Sequence, residues 1–314
     1  KAGNAQVTLT WTDPKDKYAT PEGETAQDPD QLVSVWEYTQ IIRKTGSQPT
    51  GPHDGELVVS SSVRDQYATT GFVDNGLVND TLYYYAAFAY NTDGVSSEGA
   101  FTSATPIAGT PLAELAEGTL IKILENGSPV EFYLAKHNYE PDLNGQGREL
   151  VVRKDCYDNQ VWDNGNDNDN EYSTSDLDAW LNAAYFNSLS GYVKEQLATT
   201  KFYYTPSGKA RAVALDRGVF TPSITELDVD ANAHNATEGS PLPIATALQI
   251  AYYSGAAVNQ FTRSPYKRST QVILGVQSDG KFWSADVFRT VGYAYARPCV
   301  TLPSTALVAP DLNL

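Results

Sequence analysis

The chain has 314 residues, a formal net charge of −16, 41% apolar residues and 19% charged residues. That mix supplies core material for about two domains and excludes wholesale disorder. So acidic a balance argues against nucleic-acid binding and anionic membranes. No apolar run approaches the ~18–20 residues of a membrane span, so no membrane insertion is expected. There is no Met, so Lys1 does not read as a translational start and the chain reads as a piece of a longer polypeptide. Tyr 20, Phe 10 and Trp 5, beside Gly 23 and Pro 17, favour a turn-rich β protein of extracellular type over a metabolic enzyme. The charge is uneven: residues 1–105 carry net −8, 106–196 carry −10 and 197–314 carry +2.

Val7, Leu9 and Trp11 alternate with threonines, the period-two pattern of a half-buried strand. Further strands are expected around Val33 and Val35 and over 39–43, followed by a turn-rich stretch at 45–55. Leu77 then leads through Tyr83, Tyr85, Ala87 and Ala89 to a turn at Asn91 and Gly94. If that alternating set faces the core, Tyr84, Phe88 and Tyr90 form an exposed aromatic row. Strands at this spacing predict an all-β sandwich over 1–105. Trp11 on an early strand, the Leu77-x-x-x-Thr81-x-Tyr83 run and Asn91-x-x-Gly94-x-Ser96 resemble a fibronectin type III domain. The resemblance implies a tyrosine corner at Tyr83, whose hydroxyl bonds back to upstream backbone. It also implies that the usual first strand is missing or lies before Lys1. Two prolines and a glycine without charge then mark a linker at 106–111.

The second domain, 112–314, reads as α+β. Strands at 119–124 and 129–136 flank Asn126-Gly127, the strongest short-range hairpin signal. Another strand covers 149–153. Ser173, Thr174 and Ser175 with Asp176 and Asp178 form an N-cap cluster. Leu177, Trp180, Leu181, Ala184 and Tyr185 then share one helix face, which predicts a helix near 175–187 with the Trp180 ring in the core. A second helix is expected near 190–198. Strands at 270–276, 281–287 and 291–302 form a terminal meander. A Trp180-Leu181-Asn182 helix after an Asn/Asp-rich turn, the segments 148–161 and 200–206, and a closing Arg297-Pro298…Leu302-Pro303 strand resemble a domain common in phage virion proteins of gut-type bacteria. That family is similar to the C-type-lectin-like fold, which formylglycine-generating enzymes and hypervariable phage receptor-binding proteins also use.

Together the two resemblances imply a multidomain chain: a fibronectin type III-like sandwich followed by an α+β C-type-lectin-like domain. They imply a non-enzymatic virion protein, a fibre or capsid decoration, that presents an adhesion domain at the virion surface or outside the cell. The expected partners are a host cell-surface glycan or protein, other virion proteins, and further copies in a homo-oligomer. Two alternatives stay open: a binding-module fragment of a secreted carbohydrate-active enzyme, and a purely structural stalk.

No catalytic residue is assigned. His53, His137 and His234 lie in unrelated segments and read as surface or loop residues. Cys156 and Cys299 read as two free thiols or one long-loop bridge, and the paired cysteines of formylglycine-generating enzymes do not carry over. From Asp155 to Asp178 there are eight acids and no Lys or Arg. The cluster Asp163, Asp167, Asp169 and Glu171 reads as an Asx-rich turn before a helix, with a Ca²⁺ site as the alternative. No other cofactor is expected. The ligand face is expected on the C-terminal third, from Arg263, Tyr266, Arg268, Trp283, Arg289 and Tyr293. Tyr, Trp and Arg give large, rigid contact surfaces with polar tips.

Overall fold

The computed structural model describes residues 1–18, 32–164, 169–197, 199–287, 294–309 and 314. Among the described residues strand outweighs helix, 39% against 12%, and the strands form several separate sheets with no barrel. The chain divides into two compact units, Lys1–Gly109 and Thr110–Leu314. The expected linker at 106–111 is tied into both: Pro106 O accepts from Asp80 N and Ile107 N donates to Gly3 O, while Thr110 and Pro111 pair with Val308 and Leu307.

Unit 1 contains β1 (Ala2–Gly3), β2 (Gln6–Leu9), β3 (Lys17–Tyr18), β4 (Leu32–Ser34), β5 (Trp36–Thr45), β6 (Glu56–Ser61), β7 (Phe72–Asn75), β8 (Tyr83–Asn91) and β9 (Ala100–Ala104). A three-stranded sheet runs β1-β2-β7 and a four-stranded sheet runs β6-β5-β8-β9, all antiparallel. Alternation on β2 turns Val7 and Leu9 inward, where they meet Ile41, Leu77, Tyr83 and Tyr85 in one core. A short first strand is thus present, because Ala2 and Gly3 pair with Val7 and Gln6. The expected exposed aromatic row is corrected by the structure. Phe88 is buried with Ile42 and Ala86 in a second small cluster, and Tyr90 stacks on Tyr38 at 4.6 Å. Glycines explain the cover: a Cβ on Gly99 would come within 2.8 Å of Phe88, and one on Gly55 within 2.7 Å of Ile42. Backbone lies directly over this face where only glycine fits.

Unit 2 contains β10 (Thr110–Pro111), β11 (Leu120–Glu125), β12 (Ser128–Lys136), α1 (Pro141–Asn144), β13 (Arg148–Arg153), α2 (Asp176–Trp180), α3 (Phe186–Ser188), α4 (Gly191–Gln196), β14 (Thr200–Tyr204), β15 (Val213–Arg217), β16 (Val219–Phe220), α5 (Ala245–Gln249), β17 (Ala251–Tyr253), β18 (Ala256–Val258), β19 (Gln260–Pro265), β20 (Val272–Val276), β21 (Phe282–Asp286), β22 (Cys299–Pro303) and β23 (Leu307–Val308). A five-stranded sheet runs β11-β12-β13-β22-β16, a three-stranded sheet runs β19-β20-β21, and β10 pairs with β23. Asn126 (φ 49°) and Gly127 (φ 78°) make the tight turn between β11 and β12. Both residues take the positive φ that a twisted two-residue hairpin needs. The central strand β13 buries four consecutive residues, Glu149 to Val152, as a strand covered on both faces does.

Ser175 caps α2 by accepting from Asp178 N at 3.1 Å. The helix then continues through a π-helical turn, Leu181–Tyr185, into α3. That turn seats Tyr185, whose hydroxyl donates to Glu125 Oε1 at 2.5 Å. Trp180 is corrected from core to half-buried: its ring lies against Tyr157 at 5.4 Å and Tyr185 at 5.7 Å. The fully buried tryptophan is Trp162. The expected strand over 291–302 is shorter: among the described residues it is β22, and Tyr295 before it makes isolated bridges to Asn159 and Gln260. Cys156 and Cys299 are buried free thiols.

Candidate functional site

Of the six residues expected on the ligand face, Arg263 is corrected outright. It lies on β19, every residue of which is buried, and is itself fully enclosed. Its Nη1 donates to Glu226 Oε2 at 2.7 Å and to Thr221 O at 2.8 Å, and its Nε donates to Tyr203 O at 2.8 Å. The guanidinium sits 4.8 Å from the Phe202 ring centre, so its planar face is covered by an aromatic as well. Tyr266 and Trp283 are half-buried and packed against the core. Trp283 lies over its cross-strand partner Gly275, where a Cβ would come within 2.7 Å of the indole. Arg268 is exposed. Arg289 and Tyr293 lie outside the described residues.

The acidic cluster is dispersed among backbone partners. Asp169 Oδ1 accepts from Glu171 N, and Glu171 accepts from Ser173 N and from Ser207 N. Asp163 is buried, and Asp167 lies outside the described residues. Among the described residues no group of three or more His, Cys, Asp and Glu side chains is arranged to hold a metal.

A different site emerges at the end of β12. Here a cleft of about 740 Å³ is lined by Lys136, Asn138, Glu140, Asp142, Tyr203 and Ser240, among others. Asn138 (φ 49°) and Glu140 (φ 45°, ψ 64°) both adopt the left-handed conformation. Asn tolerates it, and Asn138 Oδ1 accepts from Gly147 N at 2.8 Å. Glu does not, still less directly before a proline. Strain of this kind costs of order 1–3 kcal/mol and collects at functional positions.

The conformation pushes the Glu140 side chain inward until it is 7% exposed. Its Oε1 has Lys136 as its ion-pair partner and no closer donor. Lys136 Nζ stands 3.5 Å from that oxygen and is itself bonded to Ser240 Oγ at 2.9 Å. Burial pushes the Glu140 carboxyl above the usual carboxylate range; the Lys136 charge opposes this, and the Glu226 charge reinforces it. Across the gap lies Gly239, φ +82°, where a Cβ would stand 3.0 Å from Glu140 Oε1 and 3.4 Å from Glu226 Oε1.

Beneath the cleft lies a sealed network. Glu226 accepts from Tyr139 Oη at 2.5 Å, from Ser223 N at 2.9 Å and from Arg263. Glu238 accepts from Thr205 N at 2.6 Å and from the Ser264 hydroxyl, and burial raises its pKa against the pull of Arg263. At the cleft rim His137 Nδ1 meets Glu149 Oε2 at 2.5 Å, and its Nε2 meets Leu115 O at 3.0 Å. Glu140 and Glu226 are thus neighbours, yet both Glu226 oxygens are already engaged. The pair is not two free carboxylates flanking a scissile bond. Sequence reading missed this site because its members come from separated segments with no shared spacing. The one local signal is the Glu140-Pro141 dipeptide.

Fold and site together define a two-unit, mostly antiparallel β protein whose second unit carries a cleft over a buried charge network. The chain belongs to the family described as a domain of unknown function, DUF6273, which matches residues 146–304. The matched span includes Tyr203, Glu226, Glu238, Ser240 and Arg263, whereas Lys136 and Glu140 precede it. No curated protein and no solved structure matches the chain.

Proposed function

We propose that the chain is a non-enzymatic binding protein, a fibronectin type III-like spacer joined to a C-type-lectin-like adhesion domain. Its place is the surface of a phage virion, in a fibre or capsid decoration, where it holds a host cell-surface glycan or protein. The observation that carries this reading is the strand order of unit 1, three strands over four (β1-β2-β7 and β6-β5-β8-β9), closed by the Tyr83 hydroxyl accepting from Val78 N at 3.0 Å. That order and that bond support the reading of unit 1 as a small extracellular module with a tyrosine corner. In unit 2 the pairing of β10 with β23 supports the lectin-like reading, because it ties the two ends of the unit together. The engaged state of Glu226 supports binding over hydrolysis. Weak single contacts suffice where copies in a homo-oligomer act together.

The test is retention of the full chain on a glycan array and on intact bacterial cells, run beside a glycoside-hydrolysis assay. Saturable retention without turnover is the expected result. Turnover of a glycoside, or no retention on any glycan or cell, overturns the reading.

A further inference from the structure

We propose that Glu238 is a proton-operated latch on the cleft wall: in the folded chain it keeps its proton where an ordinary glutamate has lost it, and the wall is released when that proton leaves. This is a property of unit 2 that stands apart from the binding reading, whether or not the cleft takes a ligand.

The first support is the balance of charge beneath the cleft, where the carboxyl groups of Glu140, Glu226 and Glu238 meet the cations of Lys136 and Arg263. Arg263 Nη1 is spent on Glu226 Oε2 at 2.7 Å, and Lys136 Nζ stands 3.5 Å from Glu140 Oε1. Glu238 is left over: it is fully enclosed, and among the described residues it forms no ion pair. A lone carboxylate sealed from water is costly, and taking up a proton removes the cost.

The second support is its surroundings. Glu238 Oε1 accepts from Thr205 N at 2.6 Å, and Oε2 meets the Ser264 hydroxyl. A hydroxyl donates to a carboxylate or accepts from a carboxyl, so that contact serves the neutral form as well. The charged groups closest to it are Arg263 on β19 and the partner of that arginine, Glu226. Tyr139 is held neutral, its hydroxyl donating to Glu226. Burial pushes the Glu238 carboxyl above the ordinary 4.5 and outweighs the Arg263 charge and the two contacts, which favour ionisation. Lys136, His137, Glu140 and Asp142 face it only from the cleft side.

The third support is position. Glu238 O accepts from Ser223 Oγ at 2.8 Å and Glu238 N donates to Thr225 Oγ1 at 3.2 Å. One residue thus ties the end of β14, the 223–225 segment and β19 together. Its neighbours Thr237, Gly239 and Ser240 line the cleft, and Gly239, at φ +82°, turns the chain directly after it. A charge at Glu238 therefore acts on the wall itself, and its hydration requires residues 237–240 to move outward. The proton is held more tightly in the folded chain than in the unfolded one. The resulting stability is fully present below about pH 4.5 and is lost as pH rises through the folded value.

The experiment is a carbon-13 carboxyl titration of the full chain, with Glu238→Gln beside it. Gln keeps an acceptor for Thr205 N, offers a donor to Ser264 and cannot ionise. Glu238 is expected to titrate at least about one unit above 4.5, which is a tenfold change in equilibrium constant. Hydrogen-exchange protection factors are read at the amides of Thr205 and Ile224, which bond to Glu238 and Ser264. Through that titration they should fall by about tenfold or more in the wild type relative to Glu238→Gln. His137 also titrates, but it is common to both proteins and cancels. Titration of Glu238 at or below 4.5 overturns the latch, and so does an equal fall of protection in the two proteins. Should Glu238→Gln not fold, the carboxyl signal is assigned through the Glu238 backbone and the wild type decides. Titration above 4.5 with falling protection then supports the latch, and either one missing overturns it.

Discussion

The Arg263 guanidinium donates to the Glu226 carboxylate at 2.7 Å in a place where neither side chain meets solvent. The two residues are 37 positions apart, and each has further partners: Tyr203 O and Thr221 O for the arginine, Tyr139 and Ser223 for the glutamate. The pair therefore fixes β19 against the segments at 203, 221–226 and 139, and so sets the floor of the cleft. A buried pair of this kind gives modest net stability against an apolar replacement but is expensive to break on one side.

Arg263→Met should accordingly lower stability by about 3–5 kcal/mol, since it leaves Glu226 charged and buried. Arg263→Lys keeps the charge and loses the fork that reaches two carbonyls and a carboxylate, so a smaller loss is expected. Urea unfolding of both variants checks this. A loss below about 1 kcal/mol for Arg263→Met would contradict the buried network.

In unit 1 the Tyr83 hydroxyl is the acceptor for Val78 N. Tyr83→Phe leaves that amide without its partner at a cost of about 1–2 kcal/mol. Hydrogen exchange should show the loss in unit 1, with Val78 among the amides that gain exposure. Unchanged protection of Val78 would contradict a bond from this amide to Tyr83.

Two tryptophans separate burial from apolar periodicity. Trp162 is fully enclosed and its Nε1 donates to Thr262 O at 3.1 Å, whereas Trp180 is half-buried on the Tyr157–Tyr185 cluster. Trp162→Ala should cost about 3–5 kcal/mol through cavity formation, and Trp180→Ala about 2. Denaturant melts that rank the two the other way round would refute this packing.

His137 gives a pH signature. Burial of the ring works against its charged form, but the hydrogen bond and charge of Glu149 overcome this and raise its pKa above the ordinary 6.5. The folded state thus holds the proton more tightly than the unfolded chain. The stabilisation is fully present below about pH 6.5 and is lost as pH rises through the folded value. Imidazole titration by NMR should place His137 above 6.5, and Glu149→Gln should bring it down. A His137 that titrates at or below 6.5 in the wild type would show that the pair is not formed.

Much of the secondary structure was legible because it rests on short-range chemistry. Asn126 and Gly127 accept positive φ, so the hairpin between β11 and β12 falls where the dipeptide stands. Ser175 caps the helix that its following acids announce. Period-two alternation at Val7 and Leu9 sets which face of β2 is inward. The same reasoning failed at Phe88, because alternation says that a residue faces the other way and not whether anything covers it there. Glycine backbone at 55 and 99 covers that side.

Local periodicity and turn geometry were enough to set the β-rich character, the hairpin at Asn126 and Gly127 and the capped helix after Ser175. Only the tertiary structure decided that Arg263 is core and not surface, and that Lys136, Glu140 and Gly239 meet at one cleft. Side-chain type limits what a residue can do, but its exposure depends on chain segments far away in sequence. An arginine with an exposed neighbour reads the same, residue by residue, as one sealed between Phe202 and Glu226. The difference is desolvation and the partners that offset it, and those are assembled only when the strands pack.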